Sequence, residues 1–216
     1  MRRLTILLTF LCAMPALGSA EDVTKTEDNT PSVAVISPIF GQLVMFTLPT
    51  GFVTVNEEPT ADRYIREAVL KGETVDKWSQ MITVTGAKGL ATKPEMSAQY
   101  FAAQLAAGFQ KACPATFSVK PLGPTTISDE EAFIAIASCG KVDTSAEKHA
   151  ETALIVAIKG ASDVYTIQWA ERSPANAENL TIDEAKWKGR LEKLTPIRLC
   201  AVKSGEKPPY PSCVGK

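Results

Sequence analysis

The runs "EEAFIAIASC" (Glu130–Cys139) and "ETALIVAIKG" (Glu151–Gly160) decide how this chain folds. Both are short, and neither alternates apolar with polar residues. Phe133, Ile134 and Ile136 in the first fall on both faces of an extended chain, as do Leu154, Ile155, Val156 and Ile158 in the second. Strands that are apolar on both faces must be covered on both. The pair therefore predicts the centre of a sheet with a packing layer on each side.

Working outward, Lys159–Asp163 carries the glycine and small polar residues of a hairpin turn. "DVYTIQWAER" follows, with Tyr165, Ile167 and Trp169 on one face and Thr166 and Gln168 on the other, a half-exposed strand. "ATFSVKPL" (Ala115–Leu122) supplies a strand on the other flank. Upstream, "QLVMFTLP" and "FVTVNEE" surround the turn residues Pro49-Thr50-Gly51 and read as a hairpin. "RYIREAVLKG" mixes charges with Tyr64, Ile65 and Val69 and reads as an edge-like strand, and Ser79–Thr85 reads as another.

Between these groups Phe101, Leu105 and Phe109 recur every four residues in an alanine-rich setting, predicting a helix from about Glu95 to Ala112 that Pro114 stops. Ala102, Ala103, Ala106, Ala107 and Gly108 are small enough to let it lie close on a sheet. A second helix lies in "LTIDEAKWKGRLEKL", with Thr181 and Glu184 as a capping box, Leu180 stapled onto Ala185, and an apolar stripe of Trp187, Leu191 and Leu194. The order is four strands, helix, four strands, helix. Short connections cannot join parallel strands, so the fold is α+β: a large antiparallel sheet of about 6–8 strands, preferably with one helix on each face.

The ends speak to location. "MRRLTILLTFLCAMPALGSA" has a basic start at Arg2 and Arg3, an apolar stretch from Leu4 to Ala13 and small residues at Gly18-Ser19-Ala20, the pattern of a signal peptide cleaved after Ala20. Cys12 follows Leu11, where lipidation signals want a small residue, so it is expected to leave with the signal. Residues 21–33 form an acidic leader, 34–202 the domain, and 203–216 a Pro-rich tail. The remaining Cys113, Cys139, Cys200 and Cys213 allow three pairings, of which Cys113–Cys139 and Cys200–Cys213 close local loops. The expected protein is periplasmic or secreted and soluble, with no transmembrane segment.

Without Arg2 and Arg3 the 23 basic residues fall to 21, against 24 acidic ones, and no basic stripe marks a nucleic-acid surface. Glu73 and Asp76 beside Trp78 have the residue types of a sugar-binding or acid–base site, but also those of a solvated turn ahead of a core-edge aromatic. His149, the sole histidine, lies in the charged run "DTSAEKHAET", and no G-x-S-x-G elbow occurs. No cysteine pair has zinc or Cys-x-x-Cys spacing. "GAKGL" (Gly86–Leu90) fails the P-loop spacing and reads as a loop. Tyr64, Trp78, Trp169 and Trp187 have the character of walls of one pocket between sheet and helix, although core positions suit Trp169 and Trp187 better.

"GETVDKWSQMITVTG" (Gly72–Gly86), then "YFAAQLAAGFQKACP" and a strand ending "IASCG", resembles a group of uncharacterised exported proteobacterial proteins. The element order resembles the Mog1/PsbP-like fold. That resemblance implies binding or assembly and transfers no catalytic residue. The leading expectation is a non-enzymatic exported module, without metal or cofactor, that binds an envelope protein or component through a sheet rim. Its candidate residues are Glu57, Glu58, Arg63, Arg66, Glu73, Asp76, Lys77 and Trp78. The alternatives are a small-ligand carrier with a pocket near Trp169 and Phe109, and a hydrolase using Glu73 and Asp76.

Overall fold

The computed structural model describes residues 32–214; the signal-peptide reading, Cys12 and nearly all of the leader lie outside them. Ten strands and three helices follow in the order β1 (Val33–Ile39), β2 (Gln42–Leu48), β3 (Phe52–Pro59), β4 (Arg63–Leu70), β5 (Gln80–Ala87), α1 (Ala98–Ala112), β6 (Phe117–Ile127), β7 (Glu130–Cys139), β8 (His149–Lys159), β9 (Val164–Pro174), α2 (Glu184–Leu194), β10 (Arg198–Ala201) and α3 (Pro211–Val214). Seven strands make one antiparallel sheet in the order β3-β4-β5-β9-β8-β7-β6, and β1-β2-β10 make a second. The fold is α+β, with β7 and β8 interior in the large sheet.

The two central strands show why both faces are dry. Phe133 pairs with Ala157, Ala135 with Ile155 and Ala137 with Ala153. A large side chain meets a small one in the first two pairs, and α1 brings Ala98, Ala102 and Ala106 down onto this face. Ala103 and Gly108, read as contact residues, instead face solvent. Both ends of α1 are tied to β7. Ser97 caps the helix by accepting from Tyr100 N, Ala98 N donates to Glu131 Oε1 at 2.9 Å, and Cys113 is bonded to Cys139 with Cα atoms 5.7 Å apart. On the opposite face Ile134, Ile136, Leu154, Val156 and Ile158 meet the main core.

That opposite layer carries the second helix, as the one-helix-per-face reading expects, and adds a small sheet that the sequence did not announce. It consists of the three-stranded sheet with α2 beside it, contributing Val44, Phe46, Leu48, Leu199, Trp187 and Leu194. The expected β2–β3 hairpin does not form. Leu43, Val44, Met45 and Phe46 are buried in succession, so β2 needs cover on both faces and crosses to the second layer, while β3 buries only Phe52. β1, which no sequence signal marked, pairs Val33 with Leu48 and overlaps the last residue assigned to the leader. Gly86 permits the layers to meet, because a Cβ there would come within 2.5 Å of Ile39 Cγ2.

Three local readings are also corrected. β4 is not an edge: β3 lies outside it, and Tyr64, Ala68 and Val69 are buried. β9 is not half-exposed, since Thr166 is buried and shares a 2.6 Å hydroxyl hydrogen bond with Thr85. The cap of α2 is Asp183, which accepts from Lys186 N, rather than the Thr181–Glu184 box. In the tail, α3 is bonded through Cys213 to Cys200 in β10, with Cα atoms 5.6 Å apart, and covers Leu43 and Met45 on the outer face of the small sheet.

Candidate functional site

The eight predicted surface residues do not form one patch. Glu57, Glu58 and Arg63 flank the β3–β4 turn, whereas Glu73, Asp76, Lys77 and Trp78 follow the far end of β4, roughly 25 Å of strand away. Two of them, Arg66 and the more exposed Glu57, are tied to each other and act as a strut. Arg66 donates through Nη1 to Ser37 Oγ at 2.7 Å and pairs with Glu57 at 3.5 Å, joining β4 to β1 in the other layer. Its Nε is buried without a hydrogen-bond partner. Tyr64 donates to Glu57 Oε1 at 2.6 Å. Glu58 and Arg63 are exposed.

This cluster carries an alkaline prediction. Burial first, then the hydrogen bond to Glu57, pushes the Tyr64 phenol from 10.0 up to about 12. The folded value is raised, so the unfolded chain releases its proton first. The associated stability is intact below pH 10 and is lost as the pH climbs to about 12. The loss is on the order of 3 kcal/mol. Urea unfolding at stepped alkaline pH should show this slope, and Tyr64→Phe should remove that share of it.

The other four residues belong to a braced loop, Lys71–Ser79, between β4 and β5. Glu73 accepts from Ser79 N at 3.0 Å and from Ser79 Oγ at 2.5 Å. Thr74 and Lys77 exchange backbone hydrogen bonds of 3.0 and 3.2 Å. Glu73 is thus spent on closing the loop and is no partner for Asp76 in acid–base work. The closure holds Val75, Asp76 and Lys77 out in solvent, with Val75 39% exposed. Trp78 then turns back, and the Arg172 guanidinium stacks over its ring with Cζ 3.7 Å from the centroid.

Arg172 in turn donates through Nε to Glu151 Oε2 at 3.1 Å, the oxygen that His149 Nε2 approaches at 3.3 Å. His149 is the first residue of β8, mostly buried, and not the exposed loop residue expected. Its Nδ1 lies 2.9 Å from Glu147 O. With both nitrogens engaged, His149 acts as a bracket between strand and loop; among the described residues no hydroxyl or thiol is hydrogen-bonded to it. A cleft of about 370 Å³ opens between these groups, lined by Asp76, Lys77, Trp78, His149 and Arg172.

The predicted aromatic pocket is divided by the sheet. Trp169 and Trp187 are buried in the core under the small sheet and α2, whereas Phe109 packs on the α1 face. Among the described residues, the cleft lined by Trp169 and the one lined by Phe109 are separate. Asn179, a formal glycosylation site, donates through its amide to Phe117 O. Among the described residues, no group of three or more His, Cys, Asp or Glu side chains is arranged for a metal, and no helix is long and apolar enough to cross a membrane.

No protein-family model matches the sequence, and no curated protein matches it. Similar arrangements occur in solved structures. A mutant of protein Mog1 aligns over 80% of this chain and 97% of its own at 13% identity, TM-score 0.45. The solution structure of cyanobacterial PsbP (CyanoP) from Synechocystis aligns over 86% and 99% at 10% identity, TM-score 0.43. A protein from Bacteroides thetaiotaomicron aligns over 82% of this chain at 12% identity, TM-score 0.42; this chain spans about half, 51%, of its length. At such identities and TM-scores these likenesses concern the arrangement of strands and helices and carry no argument about binding.

Proposed function

We propose that this chain is an exported, non-enzymatic binding module that engages an envelope protein or component through the Lys71–Ser79 loop and the cleft behind it. The braced loop carries the reading. Its internal hydrogen bonds hold Val75, Asp76 and Lys77 outward, so docking them loses little conformational entropy. Trp78 and Arg172 give the cleft wall a flat aromatic and a cation, types favoured at contact surfaces. Two disulfides and the signal-like start support a location outside the cytosol, as does the likeness of Gly72–Gly86 to exported proteobacterial proteins.

Photo-crosslinking in the native envelope tests this. A photoreactive residue at Asp76 or Lys77 is expected to give a discrete higher-mass adduct, and one at Glu58 or Arg63 is not. Adducts from Glu58 and Arg63 alone would move the contact to the opposite end of the sheet. A chain that stays free at all four positions would overturn the binding reading.

A further inference from the structure

A second cleft, on the other face of the sheet, has a different composition. It holds about 470 Å³, a volume within the usual range for small-molecule sites. Phe52, Leu70 and Trp169 close its floor, with Phe52 edge-on to Trp169 at 5.2 Å between centroids. Trp169 Nε1 donates to Gln80 Oε1 at 3.1 Å, which holds the Gln80 side chain and leaves its amide N–H groups to serve the cleft.

α2 supplies the charge. Arg190 lies over the Trp169 ring, its Cζ 4.6 Å from the centroid, and is held there by Glu171 Oε1 through Nε at 2.7 Å and Nη2 at 2.6 Å. Two of its five N–H groups are thus committed, and the rest remain for a ligand. Lys193, three residues on, shares that helical face and is exposed at the mouth. Glu192 also stands on the rim. The charged groups that line the cleft are the cations Arg190 and Lys193 and the anion Glu192; Glu171, which holds Arg190 from outside the lining, is shared with Lys186, so one positive charge is left over at the mouth.

We propose that this cleft binds a small carboxylate with a flat apolar body, the body against Phe52 and Leu70 beside the Arg190-covered Trp169 and the carboxylate between Arg190 and Lys193. An anion lacking the body forfeits the floor, and a neutral molecule of the same shape forfeits the two cations. The site opens on the face opposite the Trp78–Arg172 cleft, with Leu70 and Gln80 flanking the Lys71–Ser79 loop at its edge, and its argument does not rest on the role given to that loop.

The test is calorimetric titration of the full chain at low salt with benzoate, with benzyl alcohol as the neutral isostere and acetate as the bodiless anion. Saturable benzoate binding is expected, with both controls weaker by about tenfold or more. Lys193→Glu, at an exposed position, should weaken benzoate by about tenfold with the circular dichroism spectrum unchanged. Arg190→Gln should act in the same direction. The Trp169 indole N–H resonance, assigned by its loss in Trp169→Phe, should shift with occupancy. Absence of saturation, equal binding of benzyl alcohol, or indifference to Lys193→Glu would each overturn the proposal. A silent cleft beside intact crosslinking at Lys77 would separate this failure from failure of the surface reading.

Discussion

Asp163→Ala is expected to destabilise the protein by about 3–5 kcal/mol, seen as a lowered urea midpoint and melting temperature. Asp163 is 4% exposed at the β8–β9 hairpin, and its carboxylate accepts three hydrogen bonds from three different places. Gly41 N in the β1–β2 turn donates to Oδ2 at 3.2 Å, and Gly89 N beyond β5 donates to Oδ1 at 2.7 Å. The Tyr165 hydroxyl donates to Oδ2 at 3.2 Å. Burial and the adjacent Asp163 carboxylate push that phenol above its ordinary range, so it remains a donor throughout the physiological interval.

Alanine would leave the Gly41 and Gly89 N–H groups without their acceptor, whereas the Tyr165 hydroxyl keeps Ile39 O at 3.2 Å; an unsatisfied donor costs more than the bond it loses. It would also loosen the β1–β2 turn, one of the contacts through which the small sheet sits on the large one. Asp163→Asn keeps one acceptor oxygen and should fall between wild type and alanine. A wild-type midpoint in Asp163→Ala would show that the three loops hold their places without it.

Removing the disulfides should produce two different outcomes although both rings are short. Chain-entropy reasoning assigns about 3.5 kcal/mol to a bridge of the Cys113–Cys139 separation of 26 and about 3 kcal/mol to the Cys200–Cys213 separation of 13. Cys113 and Cys139 are fully buried and join the end of α1 to β7, a central-layer contact. The Cys113→Ala/Cys139→Ala variant should therefore lower the melting temperature of the whole domain.

Cys200 and Cys213 instead tether α3, which is otherwise held by Arg198 Nη1 donating to Cys213 O at 3.1 Å and by packing of Tyr210. In Cys200→Ala/Cys213→Ala the tail should come away first, uncovering Leu43 and Met45. Limited proteolysis should clip residues 203–214 before the domain melts. Equal melting shifts for the two variants, with no early clipping, would contradict this division.

How far the residues themselves announced these features depends on the range of the forces involved. The doubly apolar runs at Glu130–Cys139 and Glu151–Gly160 indicated a covered antiparallel sheet, and the alanine-rich helix declared its packing face through Ala102 and Ala106. The β8–β9 turn and the position of α2 were equally readable. The separate β1-β2-β10 layer was not. β2 carries apolar side chains on both faces whether its neighbour is β3 or β10, and β10 has only four residues to signal its pairing.

The site follows the same logic. Composition around Trp78 marked a loop that reaches solvent, and it did not show that Glu73 is consumed by Ser79. Nor could it show that Arg172, Glu151 and His149, 94, 73 and 71 residues downstream of Trp78, assemble behind that loop.

Local pattern by itself determined strands β2 to β9, the two longer helices and the two-sided burial of the central strands, because periodicity and turn chemistry act over a few residues. Tertiary structure alone decided which strand leaves for the second sheet and which charges become struts rather than surface. The same holds for the partition of Trp78, Trp169 and Phe109 among three environments. Those outcomes depend on register and on contacts between residues far apart in the chain, where burial is traded between layers and no short segment records the result.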